Sequence, residues 1–243
     1  MIPLLRRAPV AVALAVALVV GATVRPAEAG DYDAAHLSPL AMHSLTAEGS
    51  DRMVLTTGTA TARVAAPATN RGTNTRVVVW APATTMAVDQ QSCATWSSAS
   101  VPNVQQGITL RLRHDPSGRW RAVTVMKNVL YGAVWQFNVL TWDSHGSPTM
   151  SPRGAVNLEA VFRPGGVVAS LPWKVCARAV GDIVTMKAWR AGEAEPAWGD
   201  ASHGGSVRLP PGWAYAGKAG WYIGHVPPGG WGSMISMRTA TLG

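Results

Sequence analysis

The chain reads as an all-β protein in which two antiparallel sheets pack face to face. Three observations predict this. Helical periodicity is nearly absent beyond the first thirty residues. Runs rich in β-branched and aromatic residues recur at short intervals, separated by Gly, Pro, Asn and Asp. Within those runs apolar and polar residues alternate, which gives each strand one buried and one wetter face.

The elements follow in order. Residues 1–29 have the form of an export signal: a basic start at Arg6 and Arg7, an apolar run from Pro9 to Val20, and a small-x-small site at Ala27-Glu28-Ala29. The remainder, 30–243, is expected to be a single domain. A hairpin is predicted over 51–65 around Thr57-Gly58-Thr59, a turn over 70–74, and a short strand over 76–80 that stops before Pro82. Residues 83–105 and 143–154, rich in Ser, Pro and small residues, read as loops. Ile108, Leu110 and Leu112 share one face of the next strand, with Thr109, Arg111 and Arg113 opposite. Asp115-Pro-Ser-Gly118 is a turn, and 120–127 returns as its hairpin partner. Trp135, Phe137 and Val139 alternate with Gln136 and Asn138; Val156, Leu158, Ala160 and Phe162 line a further strand. Trp173, Val175, Ala177 and Ala179 oppose Lys174, Cys176 and Arg178, and Gly181-Asp182 joins this strand to 183–189. Strands are also predicted at 219–225 and 233–238.

Composition narrows the function. The net charge is +8; loss of Arg6, Arg7, Arg25 and Glu28 with the leader makes it +6. The basic residues are spread out, with no recognition-helix or zinc-finger pattern, so nucleic acid is not an expected partner. No later apolar run approaches ~20 residues, so no membrane span is expected once the leader is gone. The expected location is extracellular, and a monomer is expected. Cys93 and Cys176 are the two cysteines, and in an oxidising compartment they are expected to form one disulfide.

Lys187-Ala-Trp-Arg-Ala-Gly-Glu-Ala-Glu-Pro-Ala-Trp198, followed by Gly217-Lys-Ala-Gly-Trp-Tyr-Ile-Gly224, resembles the C-terminal part of concanavalin A-like lectin/glucanase (laminin G-like) modules. One residue, not two, separates Pro196 from Trp198. The resemblance implies a jelly-roll β-sandwich with a concave face. It also implies sugar binding, glycan hydrolysis or elimination, or plain adhesion, because the fold alone does not choose among them. Calcium enters only through this resemblance, with Asp31 and Asp33 as candidates and Asp143 and Asp200 no weaker; otherwise no metal or cofactor is expected.

The catalytic patterns are missing. No Glu-x-Asp-x-x-Glu strand supplies two carboxylates at hydrolytic separation. Glu193 and Glu195 precede Pro196 and read as carboxylates that fix the arm, and Glu159 reads as an outward charge on a strand. Gln136, Asn138, Tyr131 and His145 lie near one another in sequence without a lyase spacing, and no Gly-x-Ser-x-Gly elbow occurs. Of the eleven Trp, Trp120, Trp135 and Trp173 are assigned to the core by parity. Trp189 is a candidate for the cleft, while Trp213, Trp221 and Trp231 are candidate loop platforms for which packing remains the better assignment. The polar faces carry the most coherent hypothesis. Arg111, Arg113, Gln136, Asn138, Lys174 and Arg178, with Trp189, would form a basic, amide-lined surface if their faces belong to one sheet. The expected function is noncovalent binding of an extracellular glycan or other polymer, acidic ones included, with the ligand itself not fixed by the sequence. The alternatives are a polysaccharide-active lyase or glycoside hydrolase with an unfamiliar site, or a non-catalytic adhesion domain.

Overall fold

The computed structural model describes residues 30–33 and 39–242. The leader at 1–29 and the side chains of Asp31 and Asp33 lie outside the described residues. In chain order the strands are β1 (Gly30–Asp33), β2 (Ala41–Thr46), β3 (Val54–Gly58), β4 (Thr61–Ala65), β5 (Arg76–Trp80), β6 (Gln90–Ala99), β7 (Gln105–His114) and β8 (Trp120–Lys127). Then come β9 (Gln136–Asp143), β10 (Met150–Asn157), a helical turn α1 (Glu159–Phe162), β11 (Trp173–Val180), β12 (Ile183–Arg190), β13 (Gly204–Arg208), β14 (Lys218–Gly224) and β15 (Trp231–Thr241). One sheet has the order β13-β12-β11-β6-β15-β4-β3, with β1 also paired to β15; the other has the order β10-β9-β8-β7-β14-β5-β2. The protein is thus a two-sheet antiparallel jelly-roll sandwich, as the alternation predicts. Among the described residues no helix is long and apolar enough to cross a membrane.

The core fills the space between the sheets. Trp173, Val175, Ala177 and Ala179 of β11 meet Phe137 and Val139 of β9, Val123 and Val125 of β8, and Ile108 and Leu110 of β7. These are the faces that the alternation assigns inward, and each fully buried large side chain stabilises by about 1.5–3 kcal/mol over exposure. The β11–β12 hairpin turns at Gly181, whose φ of 54° is left-handed backbone.

Several expectations are corrected. Residues 83–105 are loop only on either side of β6, which lies at the centre of its sheet between β11 and β15. Its Ser92 is fully buried. Ser92 Oγ donates to the Gly220 carbonyl of the facing sheet at 2.8 Å, so a small polar side chain satisfies a buried backbone oxygen. The stretch 143–154 contains the start of β10, an edge strand that tolerates Pro152 because one side has no ladder to complete. The strand expected through Phe162 ends at Asn157, whose Oδ1 accepts from the Glu159 amide at 3.0 Å; Glu159 then opens α1 and pairs with Arg163.

The parity of β7 breaks at Arg111. Its φ of 53° marks a bulge, so Leu112 leaves the face of Ile108 and Leu110 and joins a second cluster on the outer side of the seven-stranded sheet. Trp120 belongs to that outer side rather than to the main core. It is half-buried, stacked with His43 at 3.8 Å and His114 at 4.4 Å between ring centroids. Trp135 is partly buried at the core's edge beneath the Arg163 guanidinium. Trp221 is no loop platform but a fully buried core residue of β14, its Nε1 donating to the Cys93 carbonyl at 3.0 Å. Trp213 is also buried, while Trp231 sits half-buried under Arg63.

Candidate functional site

Strand parity separates core face from outer face but does not say which sheet a strand joins, and the predicted polar surface divides accordingly. Lys174 and Arg178 on β11 and Trp189 on β12 lie on the outer face of the eight-stranded sheet. Gln136 and Asn138 on β9 belong to the outer face of the other sheet. Arg113 is exposed near the end of β7.

Arg111 is withdrawn from any surface. Its side chain has no solvent exposure and donates to the carbonyls of Val88 (2.9 Å), Trp213 (2.7 Å) and Gly181, with Asp89 3.9 Å away. Burial lowers its pKa, opposed by Asp89, Tyr215 and Asp182. The bulge thus turns a surface-parity arginine into a clasp that joins three loops at one end of the sandwich.

The outer side of the seven-stranded sheet is filled. Trp142, Tyr222, Met126, Leu112 and Val78 form a small second core. Trp142 Nε1 donates to Thr124 Oγ1 at 2.8 Å, and the Tyr222 hydroxyl donates to Gln105 Oε1 at 2.7 Å. Burial holds the Tyr222 phenol well above its usual range, in its neutral form. Tyr131 precedes β9 and His145 follows it, so a strand of about 25 Å keeps them apart.

The other outer face is open. A cleft of about 500 Å³ lies over β6, β11, β12 and β15. Its floor is the Cys93–Cys176 disulfide, which joins directly opposed residues of β6 and β11. Lys174 and Trp189, opposed on β11 and β12, line one side; Glu195, Ser236 and Arg238 line the other. The arm over residues 191–203 folds back on β12. Lys187 holds it there: its Nζ donates to the Pro196 carbonyl at 2.7 Å and pairs with Glu195 at 2.8 Å. Trp198 packs on the disulfide and Trp189, with the Arg178 guanidinium 4.5 Å and the Lys187 ammonium 4.7 Å from its ring centroid.

Both arm carboxylates are committed. Glu193 accepts from the Arg190 amide and guanidinium, which hold its pKa below the ordinary range. Partial burial pushes Glu195 up, but Lys187 and Arg238 outweigh it and the net shift is downward. Asp143 pairs with Arg119, and Asp200 with Ser202 and His203. No group of three metal-ligating side chains occurs among the described residues.

One donor is buried beneath the cleft without a partner, and one stands unspent in it. The Trp189 ring is buried, with 3% exposure, yet its Nε1–H has no hydrogen-bond partner. Its neighbour Lys174 makes no hydrogen bond or ion pair among the described residues, and its side chain is part-exposed. A buried indole N–H left unpaired costs about 1–3 kcal/mol. That N–H has no accessible surface, so the donor open to a ligand is the Lys174 ammonium. Lys187 and Arg238 were not foreseen from sequence, although Lys187 shares the parity of Trp189.

No family model matches the chain, and no curated protein matches it. Solved structures with a similar outline include a Bacillus subtilis protein of unknown function with a galectin-like fold (10% identity, TM-score 0.46, 85% of this chain and 87% of that one). Another is the exoplasmic/lumenal domain of VIP36 in its Ca²⁺/Man3GlcNAc-bound form (13% identity, TM-score 0.46, 84% and 83%). A third is the CBM2 module of the evolved Dit of Lactobacillus casei BL23 phage J-1 (13% identity, TM-score 0.45, 86% and 93%).

Proposed function

We propose that this chain is an exported, noncovalent binding module for a glycan or related polymer bearing acidic groups. The ligand sits in the cleft over the disulfide. The observation that carries this reading is the unspent Lys174 ammonium beside the Trp189 ring in that cleft. Arg178, Lys187 and Arg238 flank it, and one carboxylate, Glu195, enters it. That balance favours an anionic acceptor such as a uronate, and the exposed lip gives the attraction a salt dependence.

The test is a glycan array with residues 30–243, including uronate-rich polymers, read at low and moderate salt. Saturable binding to an acidic class is expected, weakened by salt. Lys174→Ala should lower affinity about tenfold. Binding untouched by Lys174→Ala, or silence across the array from folded protein, would rule out this site.

A further inference from the structure

A second cleft opens at the end of the sandwich away from Arg111, between the two sheets, with a volume of about 660 Å³. It is walled by the β6–β7 loop, the turn before β9 and the loop before β11. Val134, Val168, Leu171 and Trp173 make most of its surface apolar. The size and lining are those of a small-molecule pocket.

Lys127 stands at its floor. The residue continues the inward parity of Val123 and Val125 on β8, so its side chain enters between the sheets where the core ends. It is 2% exposed. Its Nζ donates to the Pro102 carbonyl at 3.0 Å and lies 5.7 Å from the Trp173 ring centroid. An ammonium has three donors, and no carboxylate among the described residues pairs with this one. Burial pulls its pKa down to about 8, which still leaves it charged at neutral pH. Lys127 is the one charged side chain among the residues lining the cleft.

The rim is apolar as well. Val101 and Val168 line the opening and are part-exposed, and Leu130, Tyr131 and Val167 stand beside it, largely exposed. An apolar rim around an apolar pocket is unusual on a soluble surface and marks a contact site.

We infer that this cleft binds a single-chain amphiphile with a carboxylate head, the chain lying along the valines, Leu171 and Trp173 and the carboxylate meeting the Lys127 ammonium. One cation matches one monoanion; a doubly charged head would bring a second negative charge into an apolar cleft without a partner. This site is separate from the cleft over the disulfide, so the two proposals stand or fall independently.

The experiment is calorimetric titration of residues 30–243 with decanoate, 1-decanol and decyltrimethylammonium, each below its aggregation concentration. Decanoate should bind saturably at one site, with the alcohol and the cation at least about tenfold weaker. Lys127→Met should erase that preference while the chain still binds through apolar contact. Val168→Glu, on an exposed loop where folding is not at stake, should weaken decanoate most. Trp189→Phe should leave decanoate binding intact. Absence of one-site decanoate binding, equal affinity for decanoate and decanol, or a head-group preference that survives in Lys127→Met would each overturn the proposal.

Discussion

Replacing Lys127 by Met should stabilise the protein, by an amount that shrinks as pH rises. The amine is buried and has one acceptor, and its pKa falls from the ordinary 10.5 to about 8. Between those values the unfolded chain binds more protons than the folded one, so the stability of the natural protein climbs with pH. The penalty for holding the ammonium in the folded state is about 3 kcal/mol at pH 7 and under about 1 kcal/mol at pH 10. Met keeps most of the side-chain volume and has nothing to titrate, so it escapes the penalty at both values. It loses the hydrogen bond to Pro102, a contribution of about 1 kcal/mol, and the neutral amine keeps an N–H that can make this bond. The stability difference between Lys127→Met and the natural chain should therefore fall by roughly 2 kcal/mol from pH 7 to pH 10. Guanidinium chloride unfolding of both proteins at the two pH values measures it, and all other titrating groups cancel in the difference. A gap that is constant or grows with pH would show that the amine is not desolvated, and the electrostatic picture of the second cleft would fall with it.

Other substitutions probe the frame. Arg111→Met should cost about 3 kcal/mol or more in chemical unfolding, since it strands the carbonyls of Val88, Trp213 and Gly181; Arg111→Lys should not rescue it, because one ammonium cannot span three loops. The double change Cys93→Ala, Cys176→Ala opens an 83-residue loop and should cost about 4–5 kcal/mol, read as a lower denaturant midpoint. Glu195→Gln should cost about 1 kcal/mol at neutral pH, the partner carboxylate being part-exposed. Because the Glu195 pKa is depressed in the folded state, its contribution is present above the ordinary glutamate range and lost on acidification. The Gln variant should thus lose less stability than the natural chain between neutral and strongly acid pH.

Much of the frame was legible because period-two alternation reports which face a strand buries. The inward sets on β8, β9 and β11 and the Gly181 turn follow from it directly. Three things escaped for physical reasons. β6 carries Ser92, Cys93, Ser97 and Ser98, and a central strand made of small residues has the composition of a loop; its burial comes from what packs on it. The bulge at Arg111 adopts left-handed backbone without a glycine, so nothing in the alternation marks the point where parity inverts. Sheet membership depends on pairings between distant segments, and so the polar residues grouped as one surface divide between two. The candidate cleft was half legible: Lys174 and Trp189 were named, while the arm's Glu195 and the Arg238 of β15 arrive through tertiary pairing alone. Lys127 was within reach, since a lysine in register with Val123 and Val125 is a charge assigned to the core.

The strand order has a consequence for how the chain can reach this state. β14 lies between β5 and β7, and β15 lies between β4 and β6. Each sheet is therefore two separate flaps until a strand from the last twenty-six residues is inserted down its middle. Hairpins such as β7–β8 and β11–β12 can close early from local sequence, but the central seams need partners more than a hundred residues apart. Such topologies fold slowly. While they wait, four interior edges stand unpaired, and these are the edges most open to association with another chain. A chain cut before Lys218 would keep most of its core residues and still be unable to close either sheet.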